Sequence, residues 1–141
     1  MSASLVVDAS FAFKLLLPGP ERSLCQGLMA RWQEGSYNLC APALWLYEIT
    51  SALCKVVHFG AITAEEGQQA LALAQGLGVR LSLPDEAQAR LAFEWTLRLK
   101  RAAAYDSFYL ALAQQLDCDL WTADKRLRDA VDLPWVHGIW E

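Results

Sequence analysis

The chain has 141 residues, of which 55% are hydrophobic and 20% charged, so its composition predicts a folded globular protein and excludes an intrinsically disordered one. Its length fits one domain, residues 1–141, and because it shows neither an apolar run of ~18 residues nor a signal-peptide pattern, we expect a cytoplasmic protein. The net charge is −4, from 16 acidic and 12 basic residues, whereas a protein that binds nucleic acid usually carries an excess of basic residues. If four of the acids bind a metal ion together, however, the remaining 12 acids are balanced by the 12 bases, so the net charge does not argue against a polyanionic substrate.

Short apolar strands alternate with helices in the first half of the chain. The continuous apolar run before Asp8 predicts a buried parallel strand that is covered on both faces. The predicted elements are strands at 4–8 and 37–41 and helices at 10–17, 21–34, 43–59 and 63–75. Leu24, Leu28 and Trp32 recur every four residues, and this spacing favours a helix over residues 21–34.

The second half of the chain continues this alternation. The predicted elements are strands at 79–83, 119–122 and 135–139, a helix that begins at Pro84, and helices at 104–116 and 124–131. Pro84 is assigned to the first helical position, and the buried stripe of its helix is predicted to be Ala87, Leu91, Trp95 and Leu99. Strands that alternate with helices predict an α/β fold, a three-layer α/β/α sandwich with a mainly parallel central sheet.

Four acidic residues lie where parallel strands end or where helices begin. Asp8 ends the first strand and Asp124 follows a later one, so both are expected at the same edge of the sheet. Glu48 and Asp106 lie in the first turns of their predicted helices, which start at that same edge in a doubly wound fold. The sequence therefore predicts that the four carboxylates converge.

Each acid taken singly also has an ordinary structural explanation. An acid at a helix start is often a cap or a partner of the helix dipole, which explains Glu48, Asp106 and Asp124 equally well. Asp8 fits this explanation less well, because the end of a strand needs no cap. Four such acids at one edge favour a shared cation, since clustered carboxylates repel one another.

The available side chains indicate which cation to expect. Carboxylate and water ligands suit Mg²⁺ or Mn²⁺, and the four cysteines are spread singly without the Cys/His spacing of a zinc site. Such ions polarise phosphodiesters and activate water. Ser10 and Thr122 are placed either to hold metal-bound water or phosphate or to cap helices.

Basic and aromatic residues near the acids offer contacts for the phosphates and bases of a nucleic acid. Lys14, Lys125 and Arg126 are candidates for phosphate contacts, and the alternative is that they form solvated helix faces. Lys100 and Arg101, before the Asp106 helix, are open to the same two explanations. The tryptophans divide by pattern: Trp95 and Trp121 are predicted in the core, and Trp32 and Trp45 on a protein-binding surface.

Four motifs in this order resemble those of PIN domains, and most closely those of the VapC-like toxins of toxin–antitoxin pairs. They are Val6-Val-Asp-Ala-Ser10, Pro42-Ala-Leu-Trp-Leu-Tyr-Glu48, Tyr105-Asp-Ser-Phe-Tyr-Leu-Ala-Leu-Ala113 and Thr122-Ala-Asp124. The resemblance covers nearly the whole chain. It departs from the family at Ser51, where an Asn is common three residues after the motif glutamate.

The resemblance implies a Mg²⁺- or Mn²⁺-dependent endoribonuclease, a hydrolase with Asp8, Glu48, Asp106 and Asp124 around the metal. It also implies a homodimer and inhibition by a small antitoxin protein that inserts a segment near the site. The alternatives within the family are a non-toxin RNA-processing nuclease and a catalytically silent module that binds RNA or a partner.

Two other classes of Mg²⁺-binding protein fit the sequence less well. A phosphatase of the haloacid dehalogenase type needs a second Asp two residues after the first, where this chain has Ser10. A receiver domain needs paired acids after the first strand, and this chain has one.

Overall fold

Five parallel strands form the central sheet of the protein. The computed structural model describes residues 3–101 and 103–141. The strands are Ser4–Val7 (β1), Asn38–Pro42 (β2), Arg80–Ser82 (β3), Asp119–Thr122 (β4) and Val136–Gly138 (β5). They are ordered β3-β2-β1-β4-β5, and every neighbouring pair is parallel. The prediction of a parallel sheet is therefore confirmed.

Helices cover the sheet and complete the predicted three-layer α/β/α sandwich. They are Ala9–Leu16 (α1), Arg22–Glu34 (α2), Leu44–His58 (α3), Ala64–Gln75 (α4), Glu86–Arg98 (α5), Tyr105–Leu116 (α6) and Lys125–Val131 (α7). No helix in the part of the chain that the structure describes is both long and apolar enough to cross a membrane.

The central strand β1 is buried on both faces, which explains its unbroken apolar sequence. Leu5 and Val7 belong to one hydrophobic cluster, to which α1 and α2 contribute residues such as Phe11 and Trp32. Val6 belongs to a second cluster, which contains residues of α3, α5 and α6. Alternate residues of one strand thus anchor the two helical layers.

Helix α5 begins later than predicted, and a different face of it is buried. Asp85 is the N-cap, because its side chain accepts a 2.7 Å hydrogen bond from the amide of Gln88, so Pro84 lies before the helix. The buried residues are Gln88, Ala92 and Trp95. Of the predicted stripe only Trp95 is fully buried, because α5 packs along α6 and pairs its Gln88 and Trp95 side chains with glutamines of that helix.

The prediction that Trp32 and Trp45 lie on a protein-binding surface is wrong. Trp32 and Trp45 are core residues, 5% and 2% exposed. The Trp32 ring packs 5.1 Å from Phe11, so this side chain is not part of a docking surface.

The strand order places a crevice beside β1. From β1 the sheet extends through β2 to β3 on one side and through β4 to β5 on the other. In open parallel sheets, ligands bind outside the carboxyl ends of the strands at the point where the order reverses. Here that point lies between the ends of β1 and β4, which Asp8 and Ala123 follow directly.

Candidate active site

Asp8 leaves the end of β1 as a buried carboxylate held by three donors. Its Oδ1 accepts hydrogen bonds from the Ser10 hydroxyl at 2.6 Å and the Phe11 amide at 3.0 Å. Its Oδ2 accepts one from the Thr122 hydroxyl. Because the bond from Phe11 makes Asp8 the N-cap of α1, the expectation that this acid has no capping role is wrong.

The Ser10 and Thr122 hydroxyls each link Asp8 to the chain that follows β4. Ser10 Oγ accepts a 3.0 Å hydrogen bond from the Ala123 amide, and Thr122 Oγ1 accepts one of 2.9 Å from the Asp124 amide. Neither residue is an N-cap. Each hydroxyl has a single proton, and both protons point to Asp8. Three of the four lone pairs of the carboxylate are thus occupied, which leaves one on Oδ2.

Burial dominates the ionisation of Asp8. It raises the pKa of this carboxyl to about 6, and the negative charge of Asp106 acts in the same direction. The three hydrogen bonds lower the pKa but do not cancel the effect of burial. A positive charge beside Asp8 would therefore stabilise its ionised form.

Glu48 lies in the second turn of α3 and contacts α6. The Tyr109 hydroxyl donates a 2.5 Å hydrogen bond to Glu48 Oε1. Burial raises the pKa of Glu48, the hydrogen bond lowers it, and the charge of Asp106 raises it. Glu48 is thus held from α6, the helix that also carries Asp106.

Asp106 is the second residue of α6, and Asp124 is the N-cap of α7. Asp106 Oδ2 accepts a 2.9 Å hydrogen bond from Nη1 of Arg101. Asp124 Oδ1 accepts hydrogen bonds from the amides of Arg126 at 3.0 Å and Leu127 at 3.2 Å. Burial raises the pKa of Asp106, Arg101 lowers it, and Asp124 raises it again.

The charge of Asp106 acts on two of the other three acids, and the charge of Asp124 acts on Asp106. Its charge raises the pKa of Asp8 and of Glu48, and its own pKa is raised by Asp124. Within residues 3–101 and 103–141, however, no three His, Cys, Asp or Glu side chains are grouped closely enough to hold one ion as they stand. The structure brings the acids into one region without a closed ligand cage.

The donor atoms of this region fit an oxygen-seeking divalent cation. Beyond the free lone pair of Asp8, the atoms Glu48 Oε2, Asp106 Oδ1 and Asp124 Oδ2 have no hydrogen-bond partner among the described residues. An open carboxylate set suits Mg²⁺ best, because this ion keeps several waters and takes only one or two carboxylates directly. The raised pKa values of Asp8, Glu48 and Asp106 agree with this, because a bound cation would stabilise their ionised forms.

Known proteins resemble this chain in sequence and in fold. The pattern that defines the PIN domain matches residues 5–133 of the chain. The chain belongs to the PIN domain family. It is 34% identical over 125 residues to Ribonuclease VapC9 of Mycobacterium tuberculosis (strain ATCC 25618 / H37Rv), and the alignment covers 89% of each chain.

Two solved structures show that the PIN fold extends over almost the whole chain. PAE2754 from Pyrobaculum aerophilum superposes with a TM-score of 0.72 at 18% identity and covers 99% of this chain and 93% of its own. A toxin–antitoxin complex from Klebsiella pneumoniae contains a chain that superposes with a TM-score of 0.71 at 16% identity, with 99% of both chains covered. At these identities the likeness is one of fold.

Of the three predicted RNA-contacting residues of this PIN domain, two directly follow one of the acids and the third lies farther from them. Lys125 and Arg126 are exposed in the first turn of α7, directly after Asp124. Lys14 is in the last turn of α1, and it lines a groove together with Glu21. Lys125 and Arg126 are therefore beside the acidic region, whereas Lys14 lies at the far end of the helix that Asp8 caps.

Two residues of the site carry roles that the sequence prediction missed. The sequence presents Tyr109 only as part of an apolar helix, which does not reveal its hydroxyl contact with Glu48. Its spacing of three residues from Asp106 is an available signal, because such residues share a helix face. The sequence predicts Arg101 only as a candidate for RNA contact, and it does not reveal the ion pair between Arg101 and Asp106.

Proposed function

We propose that the chain is a single-domain, metal-dependent endoribonuclease and the toxin of a toxin–antitoxin pair. The observation that carries this proposal is that Asp8 and Asp124 follow β1 and β4 at the crevice where a parallel sheet binds ligands, while the Tyr109–Glu48 hydrogen bond joins α3 to α6, the helix that carries Asp106. Membership of the PIN family and the 34% identity to a protein named as a ribonuclease support an RNA phosphodiester as the substrate.

The metal that we propose is Mg²⁺ or Mn²⁺, held by Asp8, Glu48, Asp106 and Asp124. When bound, such an ion supplies positive charge against the phosphodiester and lowers the pKa of a coordinated water. It would also offset the burial and the repulsion by Asp106 that raise the pKa of Asp8 and of Glu48. The site would then be fully ionised at neutral pH.

The protein side chains orient these ligands. Ser10 and Thr122 hold the two oxygens of Asp8, so the free lone pair of Oδ2 has a fixed direction. Tyr109 holds Glu48 in the same way. Lys125 and Arg126 present positive charge at the start of α7, and we assign to them the phosphates of the bound RNA, with Lys14 as a more remote contact.

The partners that we propose are a cognate antitoxin and a second copy of the chain. The structural neighbour from Klebsiella pneumoniae is described as a toxin–antitoxin complex, which supports the first. The chain also exposes large apolar side chains on the outer face of α5, Phe93 and Leu97, which supports a protein-covered surface. We place the reaction in the cytoplasm, where RNA and a newly made antitoxin are both present.

A cleavage assay with purified protein tests the catalytic part of the proposal. With Mg²⁺ or Mn²⁺ the wild type should cut single-stranded RNA, and chelation should stop it. Asp106→Asn should reduce cleavage by at least about a hundredfold while circular dichroism stays unchanged. Cleavage at the wild-type rate by the folded variant would remove Asp106 from the site, and RNA binding without cleavage by the wild type would indicate the silent module instead.

A growth assay tests the toxin part separately. Expression of the chain alone should slow growth, and co-expression of the adjacent small gene should restore it. Active protein without any effect on growth would point to an RNA-processing nuclease.

A further inference from the structure

Arg101 places a positive charge directly on the acidic region. Its Nη1 atom lies 2.9 Å from Oδ2 of Asp106, and the two side chains are 28% and 37% exposed. Three ion pairs between arginine and a carboxylate are present among residues 3–101 and 103–141, and this one alone contains any of the four acids. The guanidinium therefore occupies one of the two carboxylate oxygens of Asp106.

The end of α5 is closed by a turn that delivers Arg101 to this position. Lys100 adopts a left-handed backbone with φ of 55°. Its amide donates to the Leu97 carbonyl, and the Arg101 amide donates to the Thr96 carbonyl, both at 3.1 Å. These two bonds are the pair that defines a Schellman motif. The backbone of Arg101 is thus fixed to the helix, and only its side chain needs to move for the ion pair to open.

The contact sets Arg101 against any cation that binds Asp106. The guanidinium holds the pKa of Asp106 down against burial and against the charge of Asp124. A divalent ion would do the same with twice the charge. Either it displaces the guanidinium from Asp106 Oδ2, or it binds beside a fixed positive charge. Both routes weaken its binding, since like charges repel in a half-buried site.

We propose that Arg101 is a positioning residue that sets the affinity of the acidic region for its divalent cation. It neutralises Asp106 while no ion is present, and it leaves Asp106 when an ion binds. This inference rests on the assignment of the four acids as metal ligands under the proposed function. Its consequence is a higher dissociation constant for the ion, because the ion must overcome the competing guanidinium.

The affinity for Mn²⁺ alone, measured by titration calorimetry, tests this inference. We expect Arg101→Ala to bind Mn²⁺ about two- to tenfold more tightly than the wild type, because a competing ion pair is removed. The Mn²⁺ affinity of Arg101→Lys should lie between those of Arg101→Ala and the wild type, since lysine keeps the positive charge but not the planar guanidinium group. A gain of affinity on truncation is not expected of a residue that only supports the fold.

Arg98→Ala is the matched control. Arg98 lies three residues earlier in the chain, at the end of α5, and its guanidinium sits 4.4 Å from the centre of the Trp95 ring. This variant removes the same charge from the chain without touching Asp106, so its Mn²⁺ affinity should equal that of the wild type. Thermal unfolding with and without Mn²⁺ gives a second readout, in which the ion should stabilise Arg101→Ala more than the wild type.

The possible outcomes separate the inference from the function on which it rests. Equal or weaker Mn²⁺ binding by Arg101→Ala, with normal binding by the wild type and Arg98→Ala, overturns the role of Arg101 and leaves the metal site standing. If neither the wild type nor Arg98→Ala binds Mn²⁺, the metal site fails and the inference with it. Should Arg101→Ala fold poorly, Arg101→Gln decides the question by the same comparison.

Discussion

The Tyr109 hydroxyl donates a 2.5 Å hydrogen bond to Oε1 of Glu48 and so joins the two helices that carry Glu48 and Asp106. Tyr109 is 1% exposed, and its ring is part of the larger hydrophobic cluster. Its position is set by packing, so it acts as a rigid support for a carboxylate that is only half-buried. Two acids that lie far apart in the chain are thereby fixed relative to each other.

Tyr109→Phe should keep the packing and release Glu48. The lost bond to a charged acceptor should lower the free energy of unfolding by about 1–2 kcal/mol. It should also raise the pKa of Glu48 further, because this hydrogen bond is what lowers it. Urea denaturation measures the first effect, and Mn²⁺ affinity, which should fall, reports the second.

Tyr105→Phe is the control for this change. Tyr105 is the first residue of the same helix and is 62% exposed, so loss of its hydroxyl should affect neither measurement. If Tyr109→Phe were as stable as the wild type and bound Mn²⁺ equally well, Tyr109 would be an ordinary core residue.

The raised pKa of Asp8 makes the stability of the ion-free protein depend on pH. The carboxyl has a pKa of about 6 in the folded chain, against an ordinary value of 3.8. Between these values the folded state keeps a proton that the unfolded state has lost, so stability falls as pH rises through this window and levels off above about pH 7. A pKa shift of this size corresponds to a loss of about 3 kcal/mol in the free energy of unfolding between the two ends of the window.

Replacing Asp8 by asparagine should remove this component, because an amide does not titrate. The unfolding free energies of Asp8→Asn and the wild type can be compared by urea denaturation from about pH 4 to about pH 8 in the presence of a chelator. The variant should gain stability relative to the wild type as pH rises through this range. The comparison isolates Asp8, because Glu48 and Asp106 titrate in both proteins. A difference that does not change with pH would mean that the pKa of Asp8 is the same in the folded and unfolded states.

Where the acids lie is predictable from local sequence, because strand ends and helix starts meet at one edge of a parallel sheet. Asp8 and Asp124 are located by that argument alone. What holds them is not predictable, since the bond from Thr122 to Asp8 spans 114 residues and the bond from Tyr109 to Glu48 spans 61. Such contacts depend on how the helices and the sheet pack against one another, which the local sequence does not specify.

The errors in the fold prediction have the same origin. The buried face of α5 differs from the predicted stripe because α6, with its glutamine side chains, decides which residues of α5 are covered. The sequence favours a surface position for Trp32, yet Phe11 and Trp121 enclose it from α1 and β4. Periodicity identifies a helix, but only its neighbours identify its buried side.

Lys100→Gly should stabilise the protein. Lys100 has φ of 55°, a left-handed conformation that glycine adopts without strain and other residues adopt at a cost of about 1 kcal/mol. Thermal denaturation should show a gain of that size. As a control, Lys55→Gly in the helical backbone of α3 should destabilise the protein by about 0.5–1 kcal/mol. The same substitution should therefore have opposite signs at the two positions, and a loss at both would show that the Lys100 side chain itself contributes to stability.

Thr122→Val replaces a buried hydroxyl by a methyl group of similar size. Thr122 donates to Oδ2 of Asp8 and accepts from the Asp124 amide, so this oxygen and this amide lose their partner at once. We expect a loss of about 2–4 kcal/mol in unfolding free energy, because buried polar groups left without a hydrogen bond cost about 1–3 kcal/mol each. RNA cleavage should fall by at least about tenfold, since Asp8 loses the donor that orients its Oδ2. Thr50→Val is the matched control, because the Thr50 hydroxyl bonds only to the Leu46 carbonyl of its own helix. If both variants lost the same stability and neither lost cleavage, the Thr122 hydroxyl would have no part in orienting Asp8.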